Sequence, residues 1–545
     1  MNVFMAEKIY RKIFSGLIRA GFKYPALFVI NRGKPGIKAN LRDLAQKNRA
    51  SALVIFIVIF WLVMTGLLLF RELGKQGNNA GYQPFLSKNT LLSDQWLGIY
   101  FNGSPVGFTH TAIEPFQIKN GVSGYRIVNR TWMNFLVLHT RNKVSFNSEA
   151  IVDDDYRMRE FKFELNSGRH VMRVSGVMRG RDSIALKVDS QGAVTRRVMR
   201  LPTRKGFIVA GILSPFNSFG TLQVGRRYSV DVFNPFSLEL EPLEVNIAGK
   251  EKLRVNNEDI DTFIVESNYR GIIQKSWVDS KGEMVKEETG MGWILLREDP
   301  SVAGRVYANI GKNDTELAAL VSLASNVALE PANLSCLKVS LTGLSGEGFA
   351  LPSQRQKIIE AEGGRTVIEI SKDAVDEARA LSLPLRGMPD FLKATDFVQS
   401  DDPAVRSLAR SIVGTEKNSF RAAAKINQWV YKNINKIPVV SIPSAVDVLK
   451  TREGDCNEHT VLFTALSRAA EIPARMNVGI VYLNGRFYYH AWASVYVGKW
   501  VDMDPTFGQT IADAAHIRFI EGELNRQLDI IRLIGKIKLE VIESR

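Results

Sequence analysis

The chain has 545 residues, 45% hydrophobic and 23% charged, which excludes a disordered protein and calls for two or three globular units plus accessories. Its formal charge of +15 is lopsided: residues 1–49 hold eleven Lys/Arg against Glu7 and Asp43, a net of +9, leaving 60 basic and 54 acidic groups, net +6, elsewhere. The high pI is therefore mostly a property of a tail. Two cysteines, Cys336 and Cys456, are too few for a secreted disulfide framework.

In the basic tail, residues 1–49, Ile9, Ile13, Leu17 and Ile18 recur at helical spacing among Lys and Arg. Two readings stand side by side: a helix resting on anionic lipid, and a disordered basic tail that only enforces topology. A nucleic-acid partner is not expected, because it would place binding and chemistry on opposite sides of a membrane. The span follows at 50–71, where Ser51 to Phe70 carries no charge and matches the roughly 20 residues that cross a bilayer. It starts too late in the chain for a cleavable signal peptide. The basic flank predicts a cytoplasmic N-terminus, a single pass through the cytoplasmic membrane, and an extracytoplasmic, periplasmic remainder.

Residues 72–93 are polar and Gly-rich and read as a linker. From 94 to 330 the pattern is β-rich: Trp96 to Phe101, Phe161 to Leu165 and Val171 to Val177 alternate at period two. Asn102-Gly103 is a hairpin signal. Asp189 to Gly192 and Asp279 to Gly282 share a pattern that suits a type I turn closed by a left-handed Gly. Asp153-Asp154-Asp155 lacks calcium-loop spacing and reads as a solvated turn. Residues 331–400 give a short β segment and connector, in which Cys336 alternates like a small buried strand residue. From 401 to 545 the composition shifts toward helix, with Asp402-Pro403 opening one helix and Phe420 to Asn433 forming another.

Gly454-Asp455-Cys456 introduces a helical pattern that runs to Pro473. A cysteine at a helix N-terminus meets unpaired backbone N–H groups and the positive dipole end, which favour a thiolate. Its amide can also donate to an oxyanion. Strands follow at Arg475 to Leu483, Phe487 to Val497 and Trp500 to Asp504, with an Asn484-Gly485 turn. His490 lies on the second and Asp504 ends the third. A two-residue turn at Gly498-Lys499 would point them to opposite faces. A three-residue connection at Val497 to Lys499 returns them to one face, and that connection is predicted.

Gly454-Asp455-Cys456, Ile472-Pro473-Ala474-Arg475, His490-Ala491-Trp492 and Trp500 to Thr506 resemble the core domain of bacterial transglutaminase-like proteins. The likeness covers roughly 405 to 525, and Ser444 to Leu449 and the helix around Trp429 fit it. It implies a papain-like fold in which Cys456 is the nucleophile, His490 the general base and acid, and Asp504 the orienter of the imidazole. Asp502 shares a face with Asp504 and competes for that role. His459, one turn after Cys456, competes as base but is better read as structural. Trp429 is a weak candidate for the oxyanion side chain. Tyr488, Tyr489, Trp492, Trp500 and Phe507 are read either as core or as the lining of a dry acceptor channel.

The expected class is α+β: a papain-like transglutaminase core preceded by a large antiparallel β-rich region and a single N-terminal transmembrane helix. The expected function is a membrane-anchored thiol enzyme that transfers or hydrolyses protein or peptide amides through a thioester. No cofactor or metal is called for. The competing reading is a non-catalytic envelope protein that binds or scaffolds partners, using the β-rich region and the papain-like domain for recognition.

Overall fold

The computed structural model describes residues 93–545 except 119–122, 202–205, 210–221, 290–291, 304–315, 318–321, 345–348, 350–351 and 440. Residues 74–545 make one compact unit. The basic tail and the span expected at 50–71 lie outside the described residues, and among the described residues no helix is long and apolar enough to cross a membrane.

The expected α+β class is corrected. The structure is 54% strand with few helices, so it is a β protein that carries a helical cluster. Alternating segments run on far beyond the runs legible in the sequence, as in Ser123–Val137 and Glu239–Val255. The longer helices fall between Pro403 and Ala469.

Fifteen strands form one sheet in which most neighbours follow the chain. Ser93–Phe101 pairs antiparallel with both Ser104–Gln117 and Trp293–Arg297, so the beginning and end of the β region meet in mid-sheet. The two limbs curl toward each other. Phe161 lies 4.8 Å, centroid to centroid, from Phe233 and 6.4 Å from Phe207, both on the opposite limb. They close over a core that includes Leu97, Ile99, Phe146, Val232 and Ile247, and each such side chain contributes about 1.5–3 kcal/mol by leaving water.

Asn102 (φ 46°) and Gly103 (φ 80°) form the predicted two-residue hairpin. The two Asp-to-Gly turns differ from one another. Asp279 to Gly282 matches the expected type, with the Lys281 N–H on Asp279 Oδ1 and the Gly282 N–H on the Asp279 carbonyl. At the other, Ser190 pairs with Ala193, leaving a two-residue turn at Gln191-Gly192, both at positive φ. At Asp153, Oδ1 takes the N–H groups of Asp155 and Arg157, and Arg159 pairs with Oδ2. That is the expected turn.

Four helices follow: α1 Pro403–Val413, α2 Ser419–Asn433, α3 Ala445–Thr451 and α4 Cys456–Ala469. Each starts on a polar cap: Asp402, Asn418, Ser444 and Asp455 accept from first-turn N–H groups that have no intrahelical partner. They pack on a sheet of β1 Ala474–Leu483, β2 Arg486–Tyr496, β3 Trp500–Met503 and β4 His516–Glu521. In it β2 and β4 flank β1, and β3 pairs with the end of β2. A separate four-stranded sheet joins Cys336–Thr342, Gln356–Glu362 and Arg365–Ser371 to the C-terminal strand Lys538–Ser544. It fastens onto β4: the Gln356 amide donates to the Arg518 carbonyl at 2.8 Å and accepts from the Arg518 N–H at 3.0 Å.

Candidate active site

Cys456 is the first residue of α4, as the sequence predicts. Asp455 caps the helix through the N–H groups of Asn457 and Glu458, and the Glu458 carboxylate accepts the Asp455 N–H at 2.9 Å. This reciprocal box fixes the helix start. Gly454 has φ +156°, and a Cβ there would lie 2.2 Å from the Glu458 side chain. The absence of a side chain at 454 is therefore a packing requirement of the Glu458 side of the box.

The Cys456 side chain packs against the cluster that includes Ala491 of β2, whose backbone N–H favours the charged form of the sulfur. That stretch of β2 is an open edge, because β3 pairs only with Ala493 to Tyr496 and Leu323–Ala324 only with Arg486 and Phe487. The thiol is crowded by protein yet partly reachable from solvent. Its ionisation differs from the sequence expectation. Burial pushes the thiol well above its ordinary value, the Asp455 charge adds to this, and the Ala491 N–H works against it. Burial and Glu458 in turn push the Asp455 carboxyl up toward its neutral form. Desolvation at this sulfur therefore opposes the thiolate that the helix N-terminus favours.

The predicted hairpin geometry is present. Ser494 opposes Asp502 and Tyr496 opposes Trp500, which leaves a three-residue connection at 497–499 with Gly498 at φ +112°. Continuing that register sets Asp504 beside Trp492, on the face of His490. His490 Nε2 lies 2.8 Å from Asp504 Oδ2, with 7% and 0% of the two side chains exposed. Phe507 stacks on the His490 ring at 4.9 Å and 5°. Asp504 Oδ1 accepts the N–H groups of Thr506 (2.7 Å) and Phe507 (3.0 Å). Burial pushes the Asp504 carboxyl up, but the charges and hydrogen bonds of His490 and His516 more than offset this and hold it well below the usual range.

His516 has no assigned role in the sequence reading. It heads β4, and its Nε2 lies 3.0 Å from the same Asp504 Oδ2, while its Nδ1 lies 2.9 Å from Asp513 Oδ1. The usable signal was composition: three of the six histidines fall between 459 and 516, and Asp513 stands three residues before the last. His490, Asp504 and His516 also place three possible metal-ligand atoms within 4.8 Å of one another. The 2.8 and 3.0 Å separations are hydrogen-bond distances.

The remaining candidates separate clearly. Asp502 accepts from Trp492 Nε1 (2.9 Å) and Ser494 Oγ (2.6 Å) and faces Arg355 at 3.6 Å, so it is engaged away from His490. His459 is fully buried, and its Nδ1 pairs with the Asp455 carbonyl at 2.7 Å. Burial pushes its imidazolium down, and it braces the cap as a neutral ring. Trp429 packs on the helical core under the Arg452 guanidinium at 4.7 Å. Of the aromatic set, Trp492 is core, Phe507 covers His490, and Trp500 stacks with Phe391, Tyr496 and Arg475.

Comparison with known proteins agrees with the domain. Residues 406–505 match the family described as the Transglutaminase-like superfamily, so the chain carries a domain of that superfamily. A Haemophilus influenzae protein described as "Uncharacterized protein" is 34% identical over 96 residues, 17% of this chain and 26% of that protein. The chain thus spans about a quarter of that relative. Among solved structures, "a Putative Cysteine Protease from Cytophaga hutchinsonii" aligns at 20% identity over 39% of this chain and 86% of that one, with a TM-score of 0.28. "A putative protease from Parabacteroides distasonis" aligns at 11% identity over 73% and 68%, with a TM-score of 0.18. TM-scores this low do not establish a shared fold.

Proposed function

We propose that this chain is a thiol enzyme that acts on protein or peptide amides through a Cys456 thioester, with His490 as base and acid and Asp504 as its orienter. The observation that carries this reading is the buried His490 Nε2 to Asp504 Oδ2 contact of 2.8 Å on β2, the strand whose Ala491 shares a packed cluster with Cys456. With Nε2 committed to Asp504, Nδ1 is the ring nitrogen available to the thiol.

Burial disfavours a free thiolate at Cys456, and His490 takes the thiol proton as the sulfur attacks. The Sγ–C bond forms, the carbonyl electron pair moves to oxygen, and the Cys456 N–H at the helix start is placed to receive that oxyanion. Asp504 stabilises the imidazolium. His490 then gives its proton to the departing nitrogen as the C–N bond breaks. Water next yields hydrolysis, whereas a substrate amine yields a cross-link, and either regenerates the thiol. Location at the cytoplasmic membrane, with lipid contact and the catalytic domain outside, is proposed from the amino-acid sequence alone: the basic residues 1–49 and the uncharged residues 51–70.

One feature favours the non-catalytic envelope-binding reading: the burial around Cys456, which disfavours its thiolate. The test is the full chain and its Cys456→Ala and His490→Ala variants, assayed for ammonia release, peptide cleavage and amine incorporation over a broad glutamine-peptide set, with peptide mapping of Cys456 alkylation. Cys456-dependent turnover is expected. Ordinary alkylation unchanged in His490→Ala, with no turnover, would overturn the enzyme reading in favour of binding.

A further inference from the structure

Asp504 is held more elaborately than orienting one imidazole requires. Its four acceptor positions are all filled: two by the backbone N–H groups of Thr506 and Phe507, one by His490 and one by His516. Behind His516 the network continues inward. Asp513 Oδ1 also accepts the Ala515 N–H at 2.9 Å, and Asp513 Oδ2 accepts the Gln509 amide at 2.7 Å. Gln509 closes the circuit, because its backbone pairs both ways with the backbone of Asp504 at 2.9 Å. Residues 504 to 516 thus form a self-locked turn around His516, which is 1% exposed.

We propose that His516 is a positioning residue of this site, acting on His490 through Asp504: it clamps the carboxylate oxygen that receives His490 and shares that oxygen's charge. The proposal rests on the thiol-enzyme reading of Cys456 and His490. For His516 to donate to both carboxylates it must carry both ring protons. Burial pushes its imidazolium down, but the hydrogen bonds and charges of Asp504 and Asp513 lift it to about 9. The groups that face the ring are Asp504, Asp513 and His490 (5.9 Å between ring centroids), together with the uncharged Trp492 and Phe507 and, across β1, Val481.

The charge has a direction of effect. An unshared Asp504 holds a proton on His490 strongly, and a cation on the same oxygen weakens that hold. His516 therefore draws part of the Asp504 charge away from His490. It also prevents Asp504 from turning away when His490 moves during proton transfer.

The two effects separate with two substitutions. His516→Gln keeps a neutral donor for Asp504, and His516→Phe removes it. The readout is the pH profile of Cys456 alkylation by iodoacetamide on the full chain, with Cys456 read apart from Cys336 by peptide mapping. Its acid limb follows the base that must be empty to take the thiol proton. In both variants that limb is expected to move to higher pH by about one unit, the scale set by removing one nearby buried charge. The plateau rate is expected to stay within about threefold of wild type in His516→Gln and to fall about tenfold or more in His516→Phe.

A merely structural His516 would leave the acid limb in place and lower the rate only in proportion to unfolded protein, which would overturn the proposal. Should His516→Phe fail to fold, Asp513→Asn, which withdraws one partner of the imidazolium, is expected to move the limb the same way by a smaller step. An unmoved limb in that variant likewise counts against the proposal. Failure of the underlying reading is told apart by His490→Ala. If it leaves Cys456 alkylation unchanged, the thiol-enzyme reading falls. The His516 bridge is then judged by the downfield ring N–H signals of [15N]His-labelled protein: two lost in His516→Gln support it, and none lost overturns it.

Discussion

Two buried histidine–carboxylate sites with contacts of similar length lie in different parts of this molecule and are built differently. In the candidate site, His490 and His516 meet Asp504 at 2.8 and 3.0 Å, and every oxygen of Asp504 and Asp513 has a donor. At the joint between the large sheet and the helical cluster, His170 Nδ1 meets Asp447 Oδ2 at 3.0 Å. There the far atoms, His170 Nε2 and Asp447 Oδ1, are buried without a partner. A saturated network has one arrangement and holds it, whereas a half-satisfied one is costly to keep and easier to rearrange. The first is suited to fixing a catalytic imidazole. The second fastens the turn between two sheet strands to α3, one short segment before Cys456.

The most damaging test of this contrast is Asp504→Ala, which strips two buried imidazoles of their common acceptor. Stability is expected to fall by about 3–5 kcal/mol, the cost of breaking a buried pair, measured by urea unfolding. Asp504→Asn keeps the shape but not the charge, and its turnover is expected to fall about a hundredfold, less than in a serine-protease triad because a Cys–His pair also works with Asn as its third member. A drop under tenfold in kcat/KM for Asp504→Asn would remove Asp504 from the proposed triad.

His170→Phe tests the half-satisfied contact. It is expected to cost about 1–3 kcal/mol, the range for leaving a buried acceptor unpaired, and to leave the acid limb of Cys456 alkylation in place. Burial pushes the His170 imidazolium down, but Asp447 overcomes this and raises it above its ordinary value. A raised histidine stabilises fully below its unfolded value, near 6.5, and loses that contribution as pH rises through its folded value. The gap between wild type and His170→Phe should therefore be widest below about pH 6.5 and narrow at higher pH. His516, raised to about 9, should lose its contribution gradually between about pH 6.5 and 9, so the His516→Gln gap should be full below about pH 6.5 and go on narrowing until about pH 9. Equal pH dependence in the two variants would erase the distinction drawn between the two sites.

Much of the site was legible in the sequence because its constraints are local. Asp455 before a helical run specifies the cap, so Cys456 falls on the first turn. Asn484-Gly485 sets one hairpin, and counting residues across 497–499 returns His490 and Asp504 to one face. The burial of Cys456 was not legible. The helix dipole is written in the sequence at 456, whereas the burial that opposes it comes from packing with residues distant in the chain, such as Ala491 of β2. His516 was missed for a related reason: its partners, Asp504 and Asp513, belong to a turn whose closure depends on Gln509 reaching both. The fold class failed on extent. Alternation marked strands between 94 and 330, but neither their lengths nor the C-terminal strand that joins residues 336–371 has a local signature.

The smallest expected effect comes from the surface of the same joint. Arg169, one residue before His170, pairs with Glu453 at 2.9 Å, with 71% and 21% of the side chains exposed. The ion pair joins the same turn of the large sheet to the segment just after α3, three residues before Cys456. Solvent and salt screen it, however, and ordering two long side chains opposes it, so Arg169→Ala should cost no more than about 0.5 kcal/mol. That cost should disappear in about 1 M salt, where the screening length is only some 3 Å. Measured side by side in urea, His170→Phe should keep most of its effect in salt while Arg169→Ala loses its own. If Arg169→Ala instead matched His170→Phe, the joint would be held by its exposed charges, and the buried contact could no longer be assigned the fastening role.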